Sequence, residues 1–358
     1  MNDQLRTSTW RSDARSIAIF TITAFGLVRG LDKVMPFSTH EGTTIKVDAF
    51  AEQTEGCNVL LLGSSAVYRG TQPKLFDQVT KKAGLKTKTF NMGIPGTTIA
   101  ECHYMLQCIE ETKPKDLRWI LVEADVVTKI TSEGPFLDEK SVAWHDFDTV
   151  RHLMGFAASK NLPWRVEAGS HWRNAILCIY NELGVGRGVP WIKSSLSVDS
   201  GDQRKNRWLG PHGDGYHSIA DKPLPGALQR RSEFLASKQP FMSKYASMAS
   251  EREVSEIADV SAAPFFRRIE ELAESMGARA IFYTRIGSYD DREVVALSRD
   301  GYVNSLIRMD DEDKYPEVIS PRFTWDGTHF TQKGSKLFTR HLAGAFAAHV
   351  KAAGKTQN

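Results

Sequence analysis

The chain has 358 residues, of which 41% are hydrophobic and 25% charged, with 46 Lys and Arg against 43 Asp and Glu. This is the composition of a folded globular protein, which excludes a disordered or collagen-like chain, and a net charge of +3 without a basic block speaks against nucleic-acid binding. The length suits one large domain with an insertion, or two ordinary domains.

Thirteen uncharged residues, Ser16–Val28, follow Arg6, Arg11 and Arg15. A run this short falls below the roughly 20 residues that span a bilayer, unless Arg29, Asp32 and Lys33 sit at the interface. An export signal, an uncleaved signal anchor and a buried core helix all compete for the segment. The basic flank ahead of an apolar run favours export, and the lack of a small-residue cleavage site favours the anchor. The expected layout is a signal anchor and stalk over 1–45 and an α/β domain over 46–358. The anchor would leave the amino terminus inside the cell and the domain outside it, in the periplasm.

Asn58–Leu62 (NVLLL) reads as a buried strand closed by Gly63. Pro73 opens a helical pattern that ends at Gly84, with proline in the first turn. Lys86–Asn91 reads as a second strand, Ile99–Thr112 as a helix and Trp119–Val122 as a third strand. Strands alternating with helices at this spacing predict βαβ units and a parallel sheet. The rhythm weakens over about 140–245, which reads as a largely helical insertion with a long irregular stretch at 196–232. It returns with a helix over Ala262–Met276, a strand over Ala278–Tyr283 and a last helix over Gln332–Ala352.

Ligands of doubly wound sheets bind at the carboxyl edge of the strands. Three polar clusters fall at such positions: Gly63-Ser64-Ser65, Asn91-Met92-Gly93-Ile94-Pro95-Gly96, and Asp326-Gly327-Thr328-His329. Together they supply a hydroxyl, a glycine-rich backbone, and an imidazole with a carboxylate three residues before it. A carboxylate at that spacing can hold Nδ1 of the ring while Nε2 takes a serine proton. Each cluster alone is weak, because Ser, Asp and Asn near helix starts are commonly caps. The signal lies in their order.

LLGSSAVYRG, FNMGIPGTT and WDGTHFTQKGS, in that order, resemble blocks I, II and V of the SGNH (GDSL-like) hydrolase superfamily. They are most similar to its membrane-anchored exported branch, which includes O-acetylation proteins of alginate and other exopolysaccharides. The resemblance implies a flavodoxin-like parallel sheet of about five strands flanked by helices. It makes Ser65 the nucleophile, with Ser64 in place of the family's aspartate, His329 the base and Asp326 its partner. The oxyanion hole would be formed by Ser65 and Gly96. It implies serine-dependent acyl ester chemistry without cofactor or metal, transferring an acetyl or other acyl group to or from an extracytoplasmic polysaccharide. A multi-spanning membrane acyltransferase would be the donor partner. A free-standing carbohydrate or lipid esterase and a catalytically silent polysaccharide- or partner-binding module are the alternatives. Candidate substrate-binding residues are Asn91, Asp125 and Trp325.

One departure stands out. The family's third block supplies an oxyanion-binding asparagine, whereas VEADVV at 122–127 has none. Asp125 lies there, but an ionised carboxylate repels a developing oxyanion. Glu123 reads as structural, at the end of a buried strand. His212 and His217 read as surface histidines, since a metal pair would need a third ligand. GVGRG at 184–188 follows a helical pattern and fits no phosphate loop. Trp164, Trp172, Trp191, Trp208 and Tyr216 serve either core packing or a sugar-stacking platform. Cys57, Cys102, Cys108 and Cys178 match no zinc spacing, leaving buried free thiols or one or two disulfides.

Overall fold

The computed structural model describes residues 14–24, 26–27, 30, 40–124, 139–160, 162–182, 201–221, 225–238, 258–285, 291–309 and 314–356. The chain divides into two compact units. One comprises 1–41, 133–157 and 161–198, and the other 42–132, 158–160 and 199–358.

The larger unit holds a five-stranded parallel sheet in the order β2-β1-β3-β4-β5, with β1 Val59–Leu62, β2 Thr89–Asn91, β3 Trp119–Glu123, β4 Arg279–Tyr283 and β5 Leu306–Ile307. This is one of the two common doubly wound orders. All four residues of β1 are buried, as expected of a central parallel strand covered on both faces. Alternate side chains sort onto two layers. Val59, Leu61, Leu121, Ile281 and Tyr283 pack with Phe76 of the Pro73–Lys82 helix and with Phe338, Leu342 and Phe346 of the Gln332–Thr356 helix. Phe76 and Phe346 lie 5.3 Å apart. On the other face, Phe282 meets Phe266 of the Ala263–Ser275 helix edge-on at 5.0 Å. Truncating one such side chain to alanine typically costs about 3–5 kcal/mol.

The helices start where their capping chemistry dictates. Pro73 sits in the first turn of its helix, and Lys81 and Lys82 in the last turn face the negative end of the dipole. Thr98 caps the Ile99–Glu110 helix in a reciprocal pair with Glu101. Two expectations of irregular or stalk-like chain are corrected. Glu41–Ala51 is a helix that buries Lys46 and Phe50, and the 196–232 stretch contains the helix Gly201–Leu209 and the first part of the helix Pro225–Ala236.

In the smaller unit the helices Glu139–Trp144 and Trp164–Glu182 pack together, and His145 Nε2 lies 3.3 Å from Asn174 Oδ1. Residues 14–24 are helical, with Ile17, Phe20 and Ile22 exposed, unlike a core helix. Among the described residues no helix is long and apolar enough to cross a membrane.

Candidate active site

All three polar clusters lie in the sheet-bearing unit, and two of them begin at strand ends. The chain leaves β1 through Gly63, at φ 152°, and turns straight into the short Ser65–Gly70 helix. A side chain at Gly63 would come within 2.5 Å of Val67 and 2.6 Å of Glu123, so only glycine fits there. Ser64 is the cap, its Oγ accepting the Ala66 N–H at 3.2 Å, which leaves Ser65 as the first helical residue.

The second cluster runs beside this turn as an extension of the sheet. Met92 N–H donates to Leu61 O and Ile94 N–H to Gly63 O, at 2.8 and 2.9 Å. Gly93 lets the loop press on the Ser65–Gly70 helix, since a Cβ there would lie 2.4 Å from the Tyr68 nitrogen. Gly96, the expected oxyanion donor, is exposed at the tip of the loop. Asn91 is corrected as a substrate contact. It is fully buried, its Nδ2 donates to Val67 O and Thr71 O at 2.8 Å each, and its Oδ1 accepts the Gly93 N–H at 2.9 Å. Its amide is therefore spent on holding the turn.

The third cluster comes back from far along the chain. His329 Nε2 lies 2.8 Å from Ser65 Oγ, and His329 Nδ1 lies 3.0 Å from both carboxylate oxygens of Asp326. Asp326 Oδ1 also accepts the backbone N–H groups of Thr328 and His329, at 3.2 and 2.9 Å. Its Oδ2 takes Arg230 Nε at 3.0 Å. Burial alone would raise the Asp326 carboxyl. The hydrogen bond and charge of His329, helped by Arg230, outweigh it and hold the carboxyl well below the ordinary carboxylate range. Asp326 is thus ionised at neutral pH and fixes the ring orientation in which Nε2 faces the serine.

The Pro225–Ala236 helix clamps this loop. Arg231 Nη1 donates to Thr324 O and Trp325 O, both at 2.8 Å, and its guanidinium lies 5.3 Å from the centre of the Trp325 ring. Trp325 Nε1 donates to Ala227 O at 3.0 Å, so the indole expected among the substrate contacts is held by this helix. Asp125 lies outside the described residues.

Lys46 escaped the sequence reading. It is completely buried beneath the second cluster, and its Nζ donates to Asn91 O, Gly93 O and Gly215 O at 2.9, 2.8 and 2.7 Å. The ammonium also sits 4.4 Å from the centre of the Tyr68 ring. Burial holds its pKa well below the ordinary lysine value, Arg69 acts in the same sense, and Asp214 opposes them. No local signal marks a lysine in a polar stretch as buried.

The remaining candidates resolve simply. Among the described residues no group of three side chains could hold a metal ion. His217 Nδ1 lies 3.0 Å from Arg69 Nη1. Trp208 stacks on Tyr68 and Tyr216 is buried, which assigns both to packing, while Trp164 and Trp172 are exposed. Trp191 and residues 184–188 lie outside the described residues. All four cysteines are free thiols, and burial pushes Cys57 up to about 12 and Cys108 up to about 11.

A hydroxyl bonded to an imidazole, itself bonded to an ionised carboxylate, is the arrangement that converts a weak alcohol into a nucleophile. No family model matches the chain, and no curated protein matches it.

Proposed function

We propose that the chain is a serine-dependent acyl-ester enzyme of the SGNH type, with Ser65 as nucleophile, His329 as base and Asp326 as its orienting partner. The observation that carries this reading is the 2.8 Å contact between Ser65 and His329, residues 264 positions apart in two separate motifs. Ser65 Oγ attacks an ester carbonyl as its proton passes to His329 Nε2. The tetrahedral oxyanion is taken by the N–H groups of Ser65 and Gly96, and His329 returns the proton to the leaving alcohol. The acyl group then passes to a sugar hydroxyl or to water.

The preferred acceptor is an extracytoplasmic polysaccharide, with a multi-spanning membrane acyltransferase as donor. Placement outside the cytoplasm rests on the arginine-flanked apolar segment Ser16–Val28. A second reading, a silent binding module, draws on one observation. The Ser64 N–H is taken by Glu123 at 2.7 Å, and 122–127 offers no asparagine, so the proposed oxyanion donors number two. Release of nitrophenol from nitrophenyl acetate separates the two. The enzyme reading expects turnover that Ser65→Ala and His329→Ala each reduce by at least about 10⁴-fold, whereas turnover that survives both substitutions contradicts the triad.

A further inference from the structure

A buried charge pair unused by the steps above runs from the nucleophile turn to the acid–base loop. Glu123 ends β3, and Arg285 lies two residues beyond the end of β4. The two strands are neighbours, with Glu123 in register with Tyr283, so both side chains emerge at the same carboxyl edge of the sheet. Glu123 Oε2 accepts the Ser64 N–H at 2.7 Å, and its Oε1 pairs with Arg285 Nε at 3.0 Å. Arg285 Nη1 donates to Thr328 O at 2.9 Å, the carbonyl of the peptide that leads into His329. The pair therefore starts one residue before Ser65 and ends one residue before His329. Glu123 is 2% exposed and Arg285 8%. The absent Cβ of Gly63 leaves the space through which the carboxylate reaches Ser64.

We infer that Glu123 and Arg285 form a positioning bridge that fixes the separation of Ser65 and His329, an inference that rests on the serine reading above. Burying two charges is a poor route to stability, because desolvation offsets much of their attraction. An apolar pair of the same size would fill the space, but it could bond neither the Ser64 N–H nor the Thr328 carbonyl. Arg285 has a second effect. It neutralises a carboxylate one residue from the Ser65 N–H, at the place where negative charge develops during acyl transfer. With Arg285 gone, Glu123 becomes an uncompensated anion that opposes this charge.

The test compares the full-length wild type with Arg285→Met, Arg285→Lys, Glu123→Gln and the Glu123→Gln/Arg285→Met double variant. Readouts are nitrophenyl acetate kinetics and hydrogen exchange. Arg285→Met is expected to lower kcat by about 100-fold with KM within about twofold, and Arg285→Lys to fall between it and wild type. The double variant should regain about tenfold of the loss, because the orphaned anion is removed. Exchange should quicken at 62–68 and 326–331 in Arg285→Met, and not within the 332–356 helix. Should Arg285→Met fail to fold, Glu123→Gln must still quicken exchange in both segments. The bridge is rejected if kcat in Arg285→Met stays within about threefold of wild type, if the double variant is no better than Arg285→Met, or if exchange at the two segments is unchanged. A wild type without turnover defeats the serine reading instead, and exchange alone then decides the bridge.

Discussion

The two halves of the candidate site are held by different forces. The nucleophile half, Gly63–Gly70 with Asn91–Gly96, is knitted into the sheet edge by backbone hydrogen bonds, glycine close approaches and the buried Asn91 and Lys46. The acid–base half, Thr324–His329, is a loop held by three arginines from outside it, Arg230, Arg231 and Arg285. Main-chain bonds inside a core are indifferent to salt, as is the buried Arg285 contact, whereas the contact of the exposed Arg230 guanidinium is screened. The difference teaches that the serine stands in a fixed frame, and that the geometry of the relay depends on how firmly the base is brought to it.

Three substitutions sharpen that contrast. The largest effect falls on the relay. Asp326→Asn should lower kcat by about 10³–10⁴-fold through loss of ring orientation, read from ester kinetics. The same variant carries a pH signature. Because the folded carboxyl lies below its ordinary value of 3.8, its contribution to stability is complete above about pH 4 and is lost as pH falls through the folded value. Urea midpoints of wild type and Asp326→Asn should therefore differ most at neutral pH and converge in acid; a constant gap would contradict the assignment.

Next comes the frame beneath the nucleophile. Lys46→Met strips three buried carbonyls of their donor and should destabilise the fold by about 3 kcal/mol or more in urea melts. A loss below about 0.5 kcal/mol would show that the lysine braces nothing. The smallest effect belongs to the rim. The Arg230 side chain is 55% exposed, so Arg230→Gln should cost no more than about 1 kcal/mol. Its kinetic effect should shrink as salt is added. A salt-independent loss would place Arg230 with the fixed frame instead.

Much of the architecture was legible in the chain. The runs NVLLL and WILV announced central strands because both faces are buried and leave no alternation to misread. The Pro73 helix was marked at both ends. β5 was missed because Leu306–Ile307 is only two residues long, too short for any periodicity. At the site, the meeting of Ser65, Asp326 and His329 was readable because each falls at a fixed place in a motif. Asn91 was misjudged for the same reason. A polar residue after a strand suits a ligand and a turn equally, and only the positions of Val67, Thr71 and Gly93 decide between them. The supports of the acid–base loop were invisible. Arg230 and Arg231 lie in a stretch read as irregular, about a hundred residues from the loop they clamp, and no local pattern links side chains across that distance.

Covalent labelling tests the central claim most directly. A fluorophosphonate reacts with a serine only where a base has activated it and an oxyanion hole receives the charge. Mass spectrometry of the labelled, folded protein should find one adduct, on the peptide carrying Ser65, absent from Ser65→Ala and strongly slowed in His329→Ala. A folded wild type that takes up no label at Ser65, or that labels equally well without His329, would contradict the account.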